Sequence, residues 1–507
     1  MLNRTAKAGA VGIEMGVRPR AGGRGIRGLV GLAVAVGAAL VAVPSASAIT
    51  FAHHPMAPPP GACTNQKARW AERTASAGVA TTPDAGADLN ADGVNDLWVA
   101  QPFCDVGANT EQGRVYLLSG KEFKTNTTKV IRTIDSPAPA AKQHFGFFIS
   151  VLGDVNGDGV PDIAIGTDPQ DGTRGKAWVF SGATGAVLYQ LLSPAPQDGD
   201  RFGSRIGRAG DVNGDGVPDV IVGASNENVG PNSHQGQAYI FSGKDGTYIR
   251  TLDTPDPVAN ANFGLAVQSP GDVNGAPAQV VDAANFPGDL PSQGRMYVFD
   301  GATGKLIRRI DDPTPQPEAF FGFQDVAPLS PGDLNHDGQA EIYGNGFLQT
   351  DPQSAQPTSG EAWVFDGATG NVLRTLHDPT PEPGGQFGWS MSKTDYNHDG
   401  VNDLYVGQSP HVSAFPLNQN GGTYVFDGTN GSPLQALEMP AACRQNGAPG
   451  DNGPALGWTV STPGDLNGDG HADYVAGAPF FNRGSNVDEG VLLAFMSGEM
   501  DNPTAPC

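Results

Sequence analysis

The sequence predicts an all-β chain folded as a seven-bladed β-propeller, with four antiparallel strands in each blade. Three observations carry that prediction. An acidic loop, D-x-N-x-D-G in its full form, recurs seven times, beginning at residues 88, 154, 211, 272, 333, 395 and 465. The copies lie 57 to 70 residues apart, each followed by short apolar bursts of strand length. No 3.6-residue period marks a helix anywhere in the repeats. A unit of this size is too short to bury a core alone, so copies must stack on one another.

The first 48 residues read as a signal peptide. Arg4, Lys7, Arg18, Arg20, Arg24 and Arg27 make a basic leader, residues 28–43 an apolar run, and "PSASA" a cleavage site ending at Ala48. The run is short for a bilayer span and is closed by Pro44. The expected mature chain is secreted and has no membrane span. Residues 49–80 form an N-terminal segment and residues 81–507 the propeller. Without the leader, 24 basic residues face 52 acidic ones, a formal charge of −28. That excess excludes nucleic acid as a partner, because phosphates demand Lys and Arg. Cys63, Cys104, Cys443 and Cys507 allow three disulfide pairings, among which the sequence does not choose.

Each repeat runs through the same events. A Phe-Gly pair precedes the loop at Phe145, Phe202, Phe263, Phe321 and Phe387, with Leu456-Gly457 in the last copy. A second strand follows the loop ("DIAIG", "DVIVG"), then a connection of uneven length and a third strand ("GKAWVFSG", "GEAWVFDG"). A tight turn leads to a fourth strand such as "VLRTLH", and a proline-rich connector reaches the next copy. Both faces of these strands are apolar, so they need cover on both sides. Sheets packed face to face around an axis supply it and leave only short edges. The last copy lacks a fourth strand, and "ITF" (49–51) offers a ring-closing one from the other end of the chain. His53-His54 beside it reads as a flexible end.

Calcium takes six to eight oxygens from carboxylates, amides and carbonyls. In a tight turn, positions 1, 3 and 5 converge, Gly at position 6 permits the reversal, and an acid at position 9 closes the far side. Six copies meet this pattern: Asp88/Asn90/Asp92/Asp96, Asp154/Asn156/Asp158/Asp162, Asp211/Asn213/Asp215/Asp219, Asp333/Asn335/Asp337/Glu341, Asp395/Asn397/Asp399/Asp403 and Asp465/Asn467/Asp469/Asp473. The fourth copy has Ala276 at position 5 and Val280 at position 9, and is expected to hold no metal. An EF-hand needs Glu at position 12, where these loops carry Val99, Ile165, Val222, Gly344, Val406 and Ala476. Asx-turns alone explain one such loop; six copies with the same four oxygen positions favour about six calcium ions. On this reading the carboxylates hold a shape.

These residues resemble the FG-GAP repeat of integrin α-subunit propellers. The Phe-Gly strand, the D-x-N-x-D-G-x-x-D loop and a GAP-like turn, clearest in "GAS" (223–225) and "AGAP" (476–479), carry the resemblance across most of the mature chain. It implies seven blades, with calcium in the first hairpin loop of a blade, on the face opposite the ligand surface. Six plausible loops exceed the few of integrins, and no leg domains, span or tail are evident, so pairing with a β-subunit is not implied. Similar repeats occur in secreted bacterial proteins and in a glycosylphosphatidylinositol-specific phospholipase D, whose zinc domain has no counterpart here.

No H-E-x-x-H, G-x-S-x-G or Cys/His zinc spacing is present. His336, His398 and His471 lie inside the loops at non-ligand positions and are expected to face solvent. The uneven connections fall on the opposite face, where variety suits binding. Trp98, Phe103, Phe286, Phe347 and Phe415 lie in or near that rim, with packing their expected role. The function expected is an extracellular binding or adhesion module for protein or glycan, with structural calcium. The alternative is a propeller hydrolase or polysaccharide lyase with carboxylates on the same loops.

Overall fold

The computed structural model describes residues 50–59, 63, 73–76, 87–169, 171–323, 330–354, 356–409, 420–445, 453–483 and 488–499. The expected signal peptide and Phe415 lie outside these residues. There are seven antiparallel sheets; six are meanders with their strands in sequence order, and the seventh combines three late strands with one from the start of the described chain. In the second blade, inner strand Phe148–Gly153 is followed by Asp162–Gly166, Ala177–Phe180 and outer strand Val187–Leu191. Six sheets have four strands; the fifth has three among the described residues.

The ring closes with strands from both ends of the chain. Thr459–Gly464, Asp473–Ala478 and Val491–Ser497 are joined by Phe51–Met56, which pairs Phe51 with Ser497 and Met56 with Leu492. The closing strand is thus "FAHHPM". The two histidines lie in an ordered strand rather than a flexible end, and His54 Nε2 stands 3.1 Å from Glu499. Pro55 is tolerated because this strand is an edge. The first blade's inner strand, Arg73–Ser76, exists despite lacking a Phe-Gly pair.

Seven hydrophobic clusters occupy the seven boundaries between blades. Trp98 and Val115 of the first blade meet Ile163 and Trp178 of the second. Further clusters join the second to the third, third to fourth, fourth to fifth, fifth to sixth and sixth to seventh. The last unites Met56 and Leu492 of the seventh blade with Leu97 and Tyr116 of the first. Second and third strands are buried on both faces because each face packs on a neighbour. Fourth strands are mostly only partly buried, and Val187, Tyr248 and Val372 are exposed at the rim.

The Phe-Gly pair is the clamp between blades. The Phe145, Phe263, Phe321 and Phe387 backbone N–H groups donate to the carbonyls of Gln112, Gln235, Gln293 and Ser359 in the preceding blade. Each ring meets the third-strand aromatics of its own blade edge-on or tilted, as Phe387 meets Phe426 at 5.6 Å. Arg132 continues the stitching at the rim, donating to the Gly182 and Ala183 carbonyls of the next blade. Cys63 and Cys104 form a disulfide with Cα atoms 5.2 Å apart, resolving one of the open pairings.

Candidate metal loops and the opposite face

All six acidic loops fold alike, because their own side chains cap their backbone. In the second, Asp154 Oδ1 accepts from Gly157 and Asp158, and its Oδ2 accepts from Gly159. Asn156 Oδ1 accepts from Asp158 N–H at 2.9 Å, and Asp158 Oδ1 from Val160. Asp88, Asp211, Asp333, Asp395 and Asp465 repeat the position-1 bonds. Position 6 is left-handed in each loop, with φ of 82° at Gly159 and 83° at Gly338, and only glycine takes that cheaply. Position 4 is left-handed too, and there Ala91, His336 and His398 bear it without glycine.

The position-9 acid is the buried anchor. Asp162 is fully buried and accepts from Val155 and Asn156 within the loop and from Gly182 beyond the third strand. Asp96, Asp219, Asp403 and Asp473 do the same towards Gly120, Gly243, Gly428 and Ser497. Burial pushes these carboxyls up, Asp96 to about 6 and Asp403 and Asp473 to about 7, against the pull of the backbone donors. Asp162 and Asp219 shift the same way for the same first reason.

The fifth loop differs in detail. Glu341 replaces Asp, and its longer arm takes one oxygen to Leu334 N–H while leaving Oε1 buried with no hydrogen bond. Asp333, Asp337 and Glu341 there offer three carboxylate oxygens within 4.8 Å of one another. Asn90 Oδ1 in the first loop is a second buried acceptor without a donor. Orphaned acceptors beside clustered carboxylates suit a hard divalent cation, which would satisfy both.

The other five loops hold their three acids farther apart among the described residues, which departs from the convergence expected of positions 1, 3, 5 and 9. Capping at positions 3 and 5 is not the cause, because the fifth loop makes the same caps, Asn335 Oδ1 accepting from Asp337 N–H at 2.9 Å and Asp337 Oδ1 from Gln339 at 2.8 Å; what sets that loop apart is the longer arm of Glu341. In the third loop Asn213 Oδ1 accepts from Asp215 N–H at 2.9 Å, and Asp215 Oδ1 accepts from Val217 at 3.0 Å. The sixth repeats this with Asn397 accepting from Asp399 N–H at 2.9 Å and Asp399 from Val401 at 2.8 Å. In the seventh, Asn467 Oδ1 accepts from Asp469 N–H at 3.0 Å, while its amide donates to the Ser497 carbonyl. Asn213 and Asn397 also donate to the second oxygens of Asp215 and Asp399, at 3.3 and 3.0 Å. Asn335 makes the same donation to Asp337 in the fifth loop, at 3.2 Å. Each of these oxygens keeps a second lone pair, so the caps leave acceptor capacity for a cation.

The fourth copy does not form this loop. Strands Phe263–Val273 and Ala276–Ala283 run on until Val273 pairs with Ala276, and Asn274 and Gly275 close a two-residue turn with φ of 57° and 76°. Val280, at the would-be ninth position, pairs within the sheet with Gln268 and Val298.

Several participants escaped the sequence reading. Ser119 and Ser497 hydroxyls donate to Asp92 and Asp469, and Asp366 accepts from Asn335, all from the Ser/Asp-Gly turn that ends the third strand. The repeated "SG" or "DG" was the available signal. His398 and His471 do not simply face solvent: their rings hydrogen-bond at 2.9 Å across the boundary of the sixth and seventh blades.

At the other end of the strands, Trp98 and Phe347 are buried, and Phe286 lies under the Arg295 guanidinium at 4.4 Å. Phe103 packs on His144 at 4.6 Å. Phe347, Trp389, Trp458 and Phe480 form an aromatic cluster spanning the fifth to seventh blades. Phe147 of the second blade and Phe323 of the fifth both lie within 6.0 Å of the Arg205 guanidinium from the third. These aromatics therefore converge from across the ring. Most of them directly follow a Phe-Gly or Leu-Gly pair, a regularity visible in "FGF" and "FGW".

Among the described residues no helix is long and apolar enough to cross a membrane. The FG-GAP repeat model matches residues 145–180, 202–241 and 456–492. Integrin alpha-PS5 of Drosophila melanogaster is 28% identical over 264 residues, covering 49% of this chain and 25% of its own length. Integrin alpha-7 of Rattus norvegicus is 34% identical over 140 residues, 27% of this chain and 12% of its own. Phosphatidylinositol-glycan-specific phospholipase D of Bos taurus is 36% identical over 118 residues, 23% and 13%. The chain thus spans a quarter or less of the length of these relatives. It is a seven-bladed β-propeller of FG-GAP repeats, similar in sequence to integrin α-subunits.

Proposed function

We propose that this chain is an extracellular binding module whose propeller is braced by calcium on one face and engages protein or glycan on the other. The carrying observation is the contrast between the faces. Six loops share one backbone design and one buried acid, Asp or Glu, while the opposite connections differ from blade to blade and surround an aromatic cluster. Uniformity suits a brace, and variety around aromatic side chains suits recognition. Calcium would be held by the positions 1, 3, 5 and 9 named above, and when bound it supplies charge neutralisation rather than reaction chemistry. Similarity to integrin α-subunits and to a phosphatidylinositol-glycan-specific phospholipase D supports an extracellular setting. A protein and glycan binding array, run with calcium and with chelator, tests this. Calcium-dependent binding to a defined class is expected; an array without a single calcium-dependent signal would contradict it.

One observation favours the hydrolase or lyase reading. A pocket at the rim of the sixth blade is lined by Glu382, Glu438, Tyr424 and Arg444. Burial, and then the charge of Glu438, pushes Glu382 up to about 7. Two carboxyls facing one pocket, one of them raised by burial, are the arrangement that acid–base cleavage of glycosides uses. Turnover of a polysaccharide by the wild type, abolished by Glu382→Gln, would move the assignment to an enzyme.

A further inference from the structure

At the ligand-face end of the blades, a residue opening the third strand stands opposite one closing the fourth. In the first blade the pair is Arg114 and Asp135, joined at 2.6 and 2.9 Å, and in the fourth it is Arg295 and Asp311 at 2.5 Å. The fifth blade inverts this chemistry. Glu361 takes the arginine's position and His377 the aspartate's. Asp351, from the connection between the second and third strands, joins them, so a surface ion pair becomes a cluster of two carboxylates and an imidazole.

The geometry of that cluster is close to a coordination shell. His377 Nδ1 stands 3.1 Å from Asp351 Oδ1 and 3.7 Å from Glu361 Oε1. These values bracket about 3.4 Å, the edge of a tetrahedron with bonds of about 2.0–2.1 Å to nitrogen and oxygen. Asp351 and Glu361 are 1% and 2% exposed, whereas His377 is half-buried and leaves a path from solvent. Glu361 Oε2 is held by the Thr314 hydroxyl at 3.0 Å, which leaves Oε1 turned to His377. A third buried carboxylate, Asp312, is tied into the same network through Gln349. Among the described residues, neither lysine nor arginine pairs with these three acids. Two or more buried carboxylates with no fixed cation are costly unless a proton or a metal ion joins them.

We infer that Asp351, Glu361 and His377 form a metal site for a zinc-class transition ion, distinct from the acidic loops. The imidazole discriminates against calcium, which takes oxygen ligands, and selects ions that accept nitrogen. The outer supports are in place. Gln353, whose amide lies 2.8 Å from His377 Nε2, offers its carbonyl to that N–H once the amide is turned, and Thr314 fixes Glu361. Three protein ligands leave the fourth position of a tetrahedron open on the binding face, where a ligand carboxylate or water completes it.

The site is tested on the full mature chain kept in millimolar calcium, so that the loops do not compete. Zinc is titrated by calorimetry, and cobalt is added as a visible-absorption probe. One calcium-resistant equivalent of zinc is expected, with a cobalt spectrum typical of four or five ligands that zinc abolishes. His377→Ala and, independently, Glu361→Gln should each weaken zinc binding at least tenfold while keeping the wild-type melting temperature in calcium. Absence of a calcium-resistant zinc equivalent would overturn the inference. So would binding unchanged in both variants, or binding that instead disappears with His398→Ala.

Discussion

Gly360 lies so close to Phe387 of the next blade that a β-carbon on it would sit 2.3 Å from the Phe387 carbonyl oxygen. Gly113, Gly175, Gly236, Gly294 and Gly421 stand in the same relation to Phe145, Phe202, Phe263, Phe321 and Leu456. The Phe-Gly motif and the glycine before the third strand are therefore one device, split between neighbouring blades. Gly360 also has φ of 89°, so a side chain there meets strain as well as collision. Gly360→Ala is expected to cost about 2–4 kcal/mol. Urea unfolding in calcium measures it, and a change below about 0.5 kcal/mol would remove the clamp from the account.

Two aspartates of one loop should behave differently. Asp162 holds three backbone N–H groups, including Gly182 across the sheet, whereas Asp158 is exposed and caps only Val160. Asp162→Asn is expected to lose about 1.5–3 kcal/mol even in chelator, because a charged acceptor of buried donors is gone. Asp158→Asn should be near neutral in chelator and lose only the calcium-dependent increment. Melting curves of both variants, with and without calcium, separate the roles; equal losses in chelator would contradict the division.

A buried carboxyl away from the loops gives a pH signature. Tyr239 donates at 2.6 Å to Glu227, which burial chiefly pushes up to about 7 from its ordinary 4.5. A carboxyl raised on folding binds its proton more tightly in the folded chain, so its ionisation costs stability. The cost is fully present above about pH 7 and vanishes as pH falls below about 4.5. Glu227→Gln removes it. The variant's stability relative to wild type should therefore rise between about pH 5 and 8, by on the order of 3 kcal/mol. A difference independent of pH would show that Glu227 does not titrate as argued.

The fourth copy makes a further test. Ala276→Asp with Val280→Asp restores the acids at positions 5 and 9 on paper. The Asn274-Gly275 turn keeps both residues paired in the sheet, so the double variant should bind no additional calcium. It should instead lose stability, since Val280 is buried. One added calcium equivalent by atomic emission would show that the loop opens on demand.

Turn chemistry was legible in the sequence because it is local. Asp154 caps residues three to five positions away, and the signal lies within one loop. The same locality holds at "VNGA", where Asn-Gly flanked by apolar residues signals a two-residue hairpin rather than an emptied loop. Contacts between blades were not legible. Gly360 and Phe387 lie 27 residues apart, and Arg205 meets Phe323 across the ring, separations that only closure brings together. The Asp351, Glu361 and His377 cluster draws on three segments with no motif between them. Which rim aromatics are covered was hidden for a related reason: Trp98 sits near a variable connection, yet the next blade buries it.

Calcium counting coupled to thermal melting tests the central claim most directly. The chain from residue 49 onward, dialysed against calcium and then assayed for bound metal, is predicted to carry about six ions. Each site held at about a hundred times its dissociation constant adds about 2.7 kcal/mol, so chelation should lower the melting temperature sharply. A chain with no bound calcium and a melting temperature indifferent to EDTA would contradict the claim that cations brace this ring.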